Sequence, residues 1–119
     1  MPTYRHLDVT EVGDTTVVCF KEPHSLLDYA VPSNIANELD DLADQRRCRK
    51  LVIDLSGVEY VSTFVLGLLV MLRRQALSHG GEVVLCGLSP VVREIFDRTR
   101  LSRSWDIRES KADAFAVLT

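Results

Sequence analysis

The sequence lacks the cysteine patterns that mark disulfide frameworks and structural zinc sites. It contains three cysteines, Cys19, Cys48 and Cys86, which form no CxxC pair and have no histidine at ligand spacing. An odd, scattered set of this kind is typical of a protein kept in a reducing compartment. Cys19 and Cys86 stand in apolar runs, which favours small core side chains over reactive thiols. We therefore expect a cytoplasmic protein that needs no metal or other cofactor.

Features that would hold the chain to a membrane or to nucleic acid are also missing. The longest apolar stretch, Val61 to Leu72, is well short of the roughly 20 residues that cross a bilayer. The first ten residues contain no apolar segment, so no signal peptide is expected. The formal net charge is −3, with acidic and basic residues mixed along the chain. Because binding to a phosphate backbone needs a concentrated positive face, nucleic acid is disfavoured as a partner.

Catalytic motifs are absent as well. The sequence contains no GxSxG, no Walker motif and no GxGxxG, and its three histidines fall in separate predicted elements. Asp54 ends an apolar run and invites comparison with the phospho-accepting aspartate of a receiver domain. That chemistry also needs an acidic pair after the first strand to hold Mg²⁺, and the first two predicted strands offer none. We predict that the protein is not an enzyme.

What the sequence does contain is the patterning of one α/β domain spanning residues 1–119. Hydrophobic residues make up 46% of the chain and charged residues 26%, as in ordinary globular domains. The periodicity predicts the order β-β-α-β-α-β-α-β-α, which implies a mixed, mostly parallel sheet of about five strands with about four helices packed on it. The first two strands form a hairpin, and a loop is expected over 21–32. The strands are predicted at 7–9, 15–20, 51–55, 83–86 and 105–107.

Capping signals place the helices between these strands. Ser89-Pro90 is a typical N-cap followed by proline at the first helical position, and Ser110 with Asp113 resembles a capping box. A helix over 63–78 ends at His79-Gly80-Gly81, where glycine favours the left-handed terminating conformation. The side chains expected to face the core are Ile35, Leu39 and Leu42 on the first helix, Val91, Val92, Ile95 and Phe96 on the third, and Ala114, Phe115 and Leu118 on the last.

Two adjacent hydroxyl groups stand at the start of the apolar segment EYVSTFVLGLLVML, residues 59–72. Ser62 and Thr63 follow a central strand and a short loop, the place where sites gather in α/β sheets. A helix N-terminus presents unpaired N–H groups and the positive end of the helix dipole, so a phosphate is favoured there. The alternative, favoured by these residues alone, is a purely structural role, with Ser62 as the cap and Thr63 as the first helical residue. Both interpretations stay open at this point.

The apolar content of Phe64 to Leu72 exceeds what one packed helix face requires. The main interpretation is a helix buried against the sheet. The alternative is that Phe64 and Leu68 remain partly exposed and form a surface on which a partner docks.

Several blocks of the sequence, in their order, resemble the STAS domain of bacterial anti-sigma factor antagonists. The similarity covers roughly Val12 to Leu118. The blocks are DLSGVEYV after the central strand, HGGEVVLCG at the end of the second helix, SPVVREIF at the third helix, and TRLSRSWDI before the last helix. Each block alone is weakly specific, and the order of all four carries the resemblance.

The resemblance implies a regulatory binding module. In that family a serine or threonine at the start of this helix is phosphorylated by a partner serine/threonine kinase, often the anti-sigma factor itself. The unphosphorylated form binds that kinase and frees the sigma factor, and a PP2C-type phosphatase restores it. The family motif is Asp-Ser, then a small residue, glycine and leucine. On this chain Ser62 stands at the aspartate and Thr63 at the acceptor, and of the next three residues only Leu66 matches.

By resemblance, then, Thr63 is predicted to be the phosphorylation site, with Ser62 as the less favoured acceptor. The residues predicted to contact the partner are Ser62, Phe64, Val65, Leu66 and Leu68. A related alternative is a phosphorylation-independent scaffold or accessory subunit of a transporter or signalling complex. A third, a small-molecule-binding domain, needs convergent polar groups that the sequence does not show. The oligomeric state is not indicated.

Overall fold

The computed structural model of the chain describes residues 7–21, 33–46 and 50–118. Its strands are β1 (Leu7–Val12), β2 (Thr15–Phe20), β3 (Lys50–Asp54), β4 (Glu82–Cys86) and β5 (Asp106–Arg108). Its helices are α1 (Ser33–Arg46), α2 (Thr63–Ser78), α3 (Pro90–Arg98) and α4 (Lys111–Leu118), and a short 3-10 helix, Leu101–Arg103, precedes β5. The five strands form one sheet in the order β1-β2-β3-β4-β5.

The sheet is mixed because it opens with a hairpin. β1 and β2 pair antiparallel, with Leu7 opposite Phe20 and Val12 opposite Thr15. The turn between them contains Gly13 at a φ of 63°, a conformation that glycine adopts without steric cost. The remaining neighbours, from β2 to β5, pair parallel. The predicted hairpin and mostly parallel sheet are confirmed.

Helices cover both faces of the sheet, and this explains why β3 is apolar without alternation. Leu51 and Ile53 belong to the larger core, beneath α1, α2 and α3, whereas Val52 belongs to a smaller core beneath α4. Continuous apolar runs are typical of strands buried on both faces. Among the residues of the larger core are Ile35, Leu39, Leu42, Leu69, Leu72, Val92 and Phe96. The smaller core comprises Val17, Val52, Val84, Cys86, Ala114 and Leu118.

The predicted capping residues are where the helices begin and end. Ser62 and Ser89 each accept a hydrogen bond, at 3.2 Å, from the backbone N–H three residues ahead, at the starts of α2 and α3. Ser110 accepts the equivalent bond at 3.1 Å at the start of α4. Gly80, at a φ of 77°, ends α2 in the left-handed conformation. These local signals define the starts of α2, α3 and α4 and the end of α2.

The predicted order of elements is confirmed, but four strands have other bounds: β1 continues past the predicted 7–9 to Val12, β4 starts at Glu82, and β3 and β5 are displaced by one residue. β3 starts at Lys50. β5 starts at Asp106, because Trp105 is buried with its ring edge-on to Phe96 at 6.0 Å and so belongs to the core before the strand. The prediction that Val91 faces the core is wrong, since its side chain is 51% exposed. Val92 and Phe96 define the buried face of α3, and Val91 lies about 100° away from Val92 around the helix.

Some predictions concern parts of the chain that the structure does not describe. Residues 22–32 of the expected loop lie outside the described ranges, as does Cys48. Cys86 is buried as predicted, whereas Cys19 is only half-buried. Among the helices of residues 7–21, 33–46 and 50–118, none is long and apolar enough to cross a membrane.

Candidate functional site

The loop between β3 and α2 brings the candidate residues to the carboxyl edge of the sheet. Leu55 continues the ladder by donating its N–H to the carbonyl of Cys86 at 2.9 Å. The chain then turns at Gly57, with the Val58 N–H bonded to the Leu55 carbonyl at 3.0 Å. The side chains of Val58 and Val61 are buried in the larger core. The loop is therefore held by contacts at both ends, and these contacts define where α2 starts.

The Ser62 hydroxyl is committed to the fold. Ser62 has an extended backbone conformation, and its Oγ accepts a hydrogen bond from the Val65 N–H at 3.2 Å. This is the geometry of an N-cap, which satisfies one of the unpaired donors of the first helical turn. The structural role predicted for Ser62 is confirmed.

The Thr63 hydroxyl has different surroundings. Thr63 is the first residue of α2, and its side chain is exposed. Within the described part of the chain its hydroxyl makes no hydrogen bond to another residue. The first turn of α2 contains no acidic residue. An added phosphate would therefore meet the positive end of the helix dipole and no neighbouring carboxylate in that turn.

The residues after Thr63 alternate between solvent and core. Phe64 is 54% exposed and Leu68 is half-buried, as the docking interpretation requires. Val65 and Leu66 are 1% and 8% exposed, so their side chains hold the helix against the sheet and are not available to a partner in this conformation. With Met71, which is also exposed, Phe64 and Leu68 form an apolar line at the spacing i, i+4, i+7, which we name the α2 stripe.

Sequence reasoning missed the group that anchors the loop, which is Asp54. Its Oδ1 accepts hydrogen bonds from the backbone N–H of Ser56 at 3.0 Å and from the Ser56 hydroxyl at 2.6 Å. Its Oδ2 lies 3.6 Å from the Lys111 ammonium on α4 and 3.7 Å from the Cys19 thiol. The spacing Asp-x-Ser is a known turn signal and could have indicated the first two contacts. The contact with Lys111 had no signal in the sequence.

Gly87, directly after β4, completes this anchor. Its φ is 72°, and a β-carbon there would lie 2.7 Å from Asp54 Oδ1 and closer still to the Ser56 hydroxyl oxygen. Only glycine leaves room for the Asp54–Ser56 pair at this point. The contact between Asp54 and Ser56 thus depends on the residue after β4 as well as on the loop after β3.

The groups around Asp54 favour its ionised form, which suits a structural role for this carboxylate. Burial raises the pKa of Asp54, but the two hydrogen bonds from Ser56 and the Lys111 ammonium outweigh burial and leave the pKa below its ordinary value. Burial and the Asp54 carboxylate raise the pKa of the Cys86 thiol to about 12, and they raise that of Cys19 as well. Both thiols are therefore protonated at neutral pH and are poor nucleophiles. No group of three potential metal ligands occurs among the described residues.

Two shallow cavities lie elsewhere, on either side of β5. One, of about 440 Å³, is lined by residues of β5 and α4, and the other, of about 380 Å³, by residues of β5 and the start of α3. Neither is lined by a residue of α2 or of the loop before it. These cavities give the α2 start no enclosed pocket for a small molecule.

Comparison with known proteins identifies the class of domain. A family model described as the STAS domain matches residues 6–114. The anti-sigma F factor antagonist of Paenibacillus polymyxa is 22% identical over 92 residues, which are 77% of this chain and 79% of that protein. BtrV of Bordetella bronchiseptica is 32% identical over 69 residues, which are 58% of this chain and 60% of that protein.

Solved structures agree with the sequence comparison. An anti-sigma-factor antagonist (STAS) domain protein from Planctomyces limnophilus superposes with a TM-score of 0.84 at 25% identity, covering 95% of this chain and 98% of that one. The phosphorylated form of SpoIIAA from Bacillus superposes with a TM-score of 0.68 at 16% identity, covering 95% and 99% of the two chains. SpoIIAA has also been solved in its unphosphorylated form, with a TM-score of 0.75 at 17% identity, covering 94% and 95%.

The family match spans nearly the whole chain, and the described fold superposes on a solved STAS domain protein. The prediction of a non-enzymatic regulator is confirmed by that membership. The fold is shared with solved structures of anti-sigma factor antagonists. This chain belongs to the STAS domain, anti-sigma factor antagonist family.

Proposed function

We propose that this protein is a phosphorylation-controlled antagonist of an anti-sigma factor. In its unphosphorylated form it binds an anti-sigma factor that is also a serine/threonine kinase, through the start of α2. Phosphorylation of Thr63 ends that binding, and a PP2C-type phosphatase reverses it. The observation that carries the proposal is the contrast between two neighbours: the Ser62 hydroxyl is used as the helix cap, whereas the Thr63 hydroxyl is exposed and without a partner among the described residues.

The position of Thr63 suits a phosphate without loss of the fold. A phosphothreonine adds about −1.5 to −2 charges at neutral pH. At the first residue of α2 that charge lies beside the unpaired N–H groups of the helix, where anions are stabilised. The modified domain is therefore expected to keep its structure while its surface changes.

The α2 stripe explains how the phosphate would control binding. Phe64, Leu68 and Met71 offer an exposed apolar line that begins beside Thr63. A partner that covers this line must also remove water from the start of α2. A doubly charged group covered by a partner loses its water, and this desolvation costs several kcal/mol, which is enough to break a complex of moderate affinity.

The named relatives support the antagonist role and the occurrence of a phosphorylated form. The Paenibacillus polymyxa protein is an antagonist of an anti-sigma factor, and SpoIIAA exists in phosphorylated and unphosphorylated forms. The similarity to SpoIIAA is one of fold, so the modification of Thr63 rests on the exposed hydroxyl of this chain.

The proposal is tested by phosphate transfer from the kinase-type anti-sigma factors of the same organism, each purified and supplied with ATP. We expect one phosphoryl group per chain by intact-mass spectrometry, lost in Thr63→Ala and retained in Ser62→Ala. Ser89→Ala is the matched control, because Ser89 caps α3 with the same 3.2 Å bond and lies outside the site. Undiminished incorporation in Thr63→Ala would remove Thr63 from this role.

One observation favours the alternative, a phosphorylation-independent scaffold. The large side chain of Phe64 projects from the residue next to the acceptor, where a kinase active site would have to accommodate it. If the chain is a scaffold, Thr63→Glu leaves partner affinity unchanged while Phe64→Ala weakens it. The switch predicts that both substitutions weaken binding, so titration of the two variants against the partner separates the functions.

A further inference from the structure

β5 leaves one edge of the sheet open. This strand pairs with β4 on one side, and no described strand pairs with its other side. The two shallow cavities flank it, one toward α4 and one toward α3, so the helices on both faces stop short of the edge. An open edge presents unpaired backbone donors and acceptors, which can template the addition of another strand.

The backbone groups that point outward can be identified. The carbonyl of Cys86, the last residue of β4, accepts a hydrogen bond at 2.9 Å from the first N–H after β3 and therefore faces β3. Because backbone groups alternate along a strand, those of Leu85 face β5, and in a parallel pair they bond to the residues on either side of its partner Ile107, which are Asp106 and Arg108. Ile107 then directs its N–H and C=O groups to solvent.

The side chains of this strand divide between the two faces of the sheet. Asp106 is paired with Val84 and Arg108 with Cys86, both of which belong to the core under α4. Asp106 and Arg108 therefore lie on the α4 face, where their side chains form an ion pair at 2.7 Å. Ile107 lies on the opposite face and packs at the margin of the larger core.

We propose that a second copy of this chain pairs with this edge, antiparallel and centred on Ile107. In that register Asp106 of each copy lies opposite Arg108 of the other, so opposite charges meet at both positions. Ile107 carries the outward backbone groups, so the two copies of Ile107 form a hydrogen-bonded antiparallel pair that exchanges both N–H···O=C bonds. Charge and backbone are thus self-complementary in one register, and the two sheets become one sheet of ten strands.

The other edge of the sheet does not have this property. β1, with the sequence LDVTEV, contains Asp8 and Glu11 and no basic residue. Two copies of β1 would bring like charges together, which disfavours pairing. The two-fold arrangement through β5 also closes on itself, whereas pairing β5 of one copy with β1 of the next would leave free edges and extend further. The expected product is a dimer, weak because the strand is only three residues long.

Sedimentation equilibrium over a concentration series tests the pairing. We expect a monomer–dimer equilibrium for the native chain, and roughly tenfold or greater weakening in Asp106→Arg and in Arg108→Asp, because each places like charges opposite each other. Mixing these two variants restores the dimer, since an arginine then faces an aspartate at both positions. Matched controls are Glu94→Arg and Arg98→Asp, which make the same charge changes in an exposed pair on α3 and leave the equilibrium as in the native chain.

Hydrogen exchange gives a second measurement that does not depend on the variants. The amide proton of Ile107 should exchange more slowly as the protein concentration rises, whereas those of Asp106 and Arg108, which face β4, should not change. A native chain that stays monomeric up to about 1 mM, the weak end of measurable affinity, would overturn the proposal. So would a dimer that both single variants retain, or a mixture that fails to restore it while each variant keeps the native circular dichroism spectrum.

Discussion

Two adjacent hydroxyl groups, those of Ser62 and Thr63, have different surroundings although their chemistry is nearly the same. Ser62 accepts the hydrogen bond that starts α2, and Thr63, one residue later, is exposed to solvent. The next two residues repeat the contrast, with Phe64 exposed and Val65 in the core. Rotation of about 100° per residue along a helix is enough to separate a structural group from an accessible one.

Gly87 is the residue at which a single methyl group should have the largest effect on the loop. We expect Gly87→Ala to lower the free energy of unfolding by about 2 to 4 kcal/mol, because it adds strain at a positive φ and displaces the Ser56–Asp54 pair. Gly13→Ala is the control, since Gly13 has a similar φ of 63° and nothing within 4 Å of the added carbon. Guanidinium unfolding of both variants measures the difference, and equal losses would mean that the close approach at Gly87 is unimportant.

At the scale of elements, the caps of α2 and α3 offer a matched pair. Ser62→Ala and Ser89→Ala each remove one 3.2 Å hydrogen bond to a first-turn N–H, so each should cost about 1 kcal/mol of stability in urea unfolding. Faster hydrogen exchange should appear at the Val65 amide in the first variant and at the Val92 amide in the second. A Ser62→Ala protein as stable as the native one would show that the cap does not stabilise α2 in solution.

At the scale of the whole molecule, Asp54 connects elements that are far apart in the chain. Its carboxylate contacts Ser56 in the loop after β3, Lys111 on α4 and Cys19 on β2. The helix on the second face of the sheet is thereby connected to the loop that leads to α2. A charge at this point has consequences for the stability of the entire domain.

The lowered pKa of Asp54 predicts how stability depends on pH. Because the folded-state pKa lies below that of the unfolded chain, ionised Asp54 stabilises the fold above the unfolded value, near pH 4, and this contribution is lost as the pH falls through the folded value. Asp54→Asn should therefore be less stable at pH 7 and show a flatter loss of stability below pH 4. Asp14→Asn, at an exposed aspartate in the β1–β2 turn, is the control. Thermal unfolding between about pH 2 and 7 checks both, and identical acid profiles for Asp54→Asn and the native chain would contradict the assignment.

The dependence of this fold on local signals explains how much of it the sequence could predict. Serine caps at Ser62, Ser89 and Ser110 and the terminating Gly80 act within one helical turn, so the sequence pattern alone is enough to predict the structure at these positions. Two of the differences arose where neighbours distant in sequence decide. Trp105 has the β-propensity of a strand residue, but its ring packs in the core against Phe96. Val91 is apolar, but it lies on the side of α3 that faces solvent.

The sequence by itself determined the order of elements, the helix ends and the start of α2, because each depends on residues within a few positions of one another. Only the tertiary structure decided that Asp54 is an anchor, since its partners Cys19 and Lys111 come from the other side of the domain. It also decided that Phe64 is exposed while Leu66 is not, and that Asp106 and Arg108 share an open edge. Burial and edge position are properties of packed elements, which no local pattern contains.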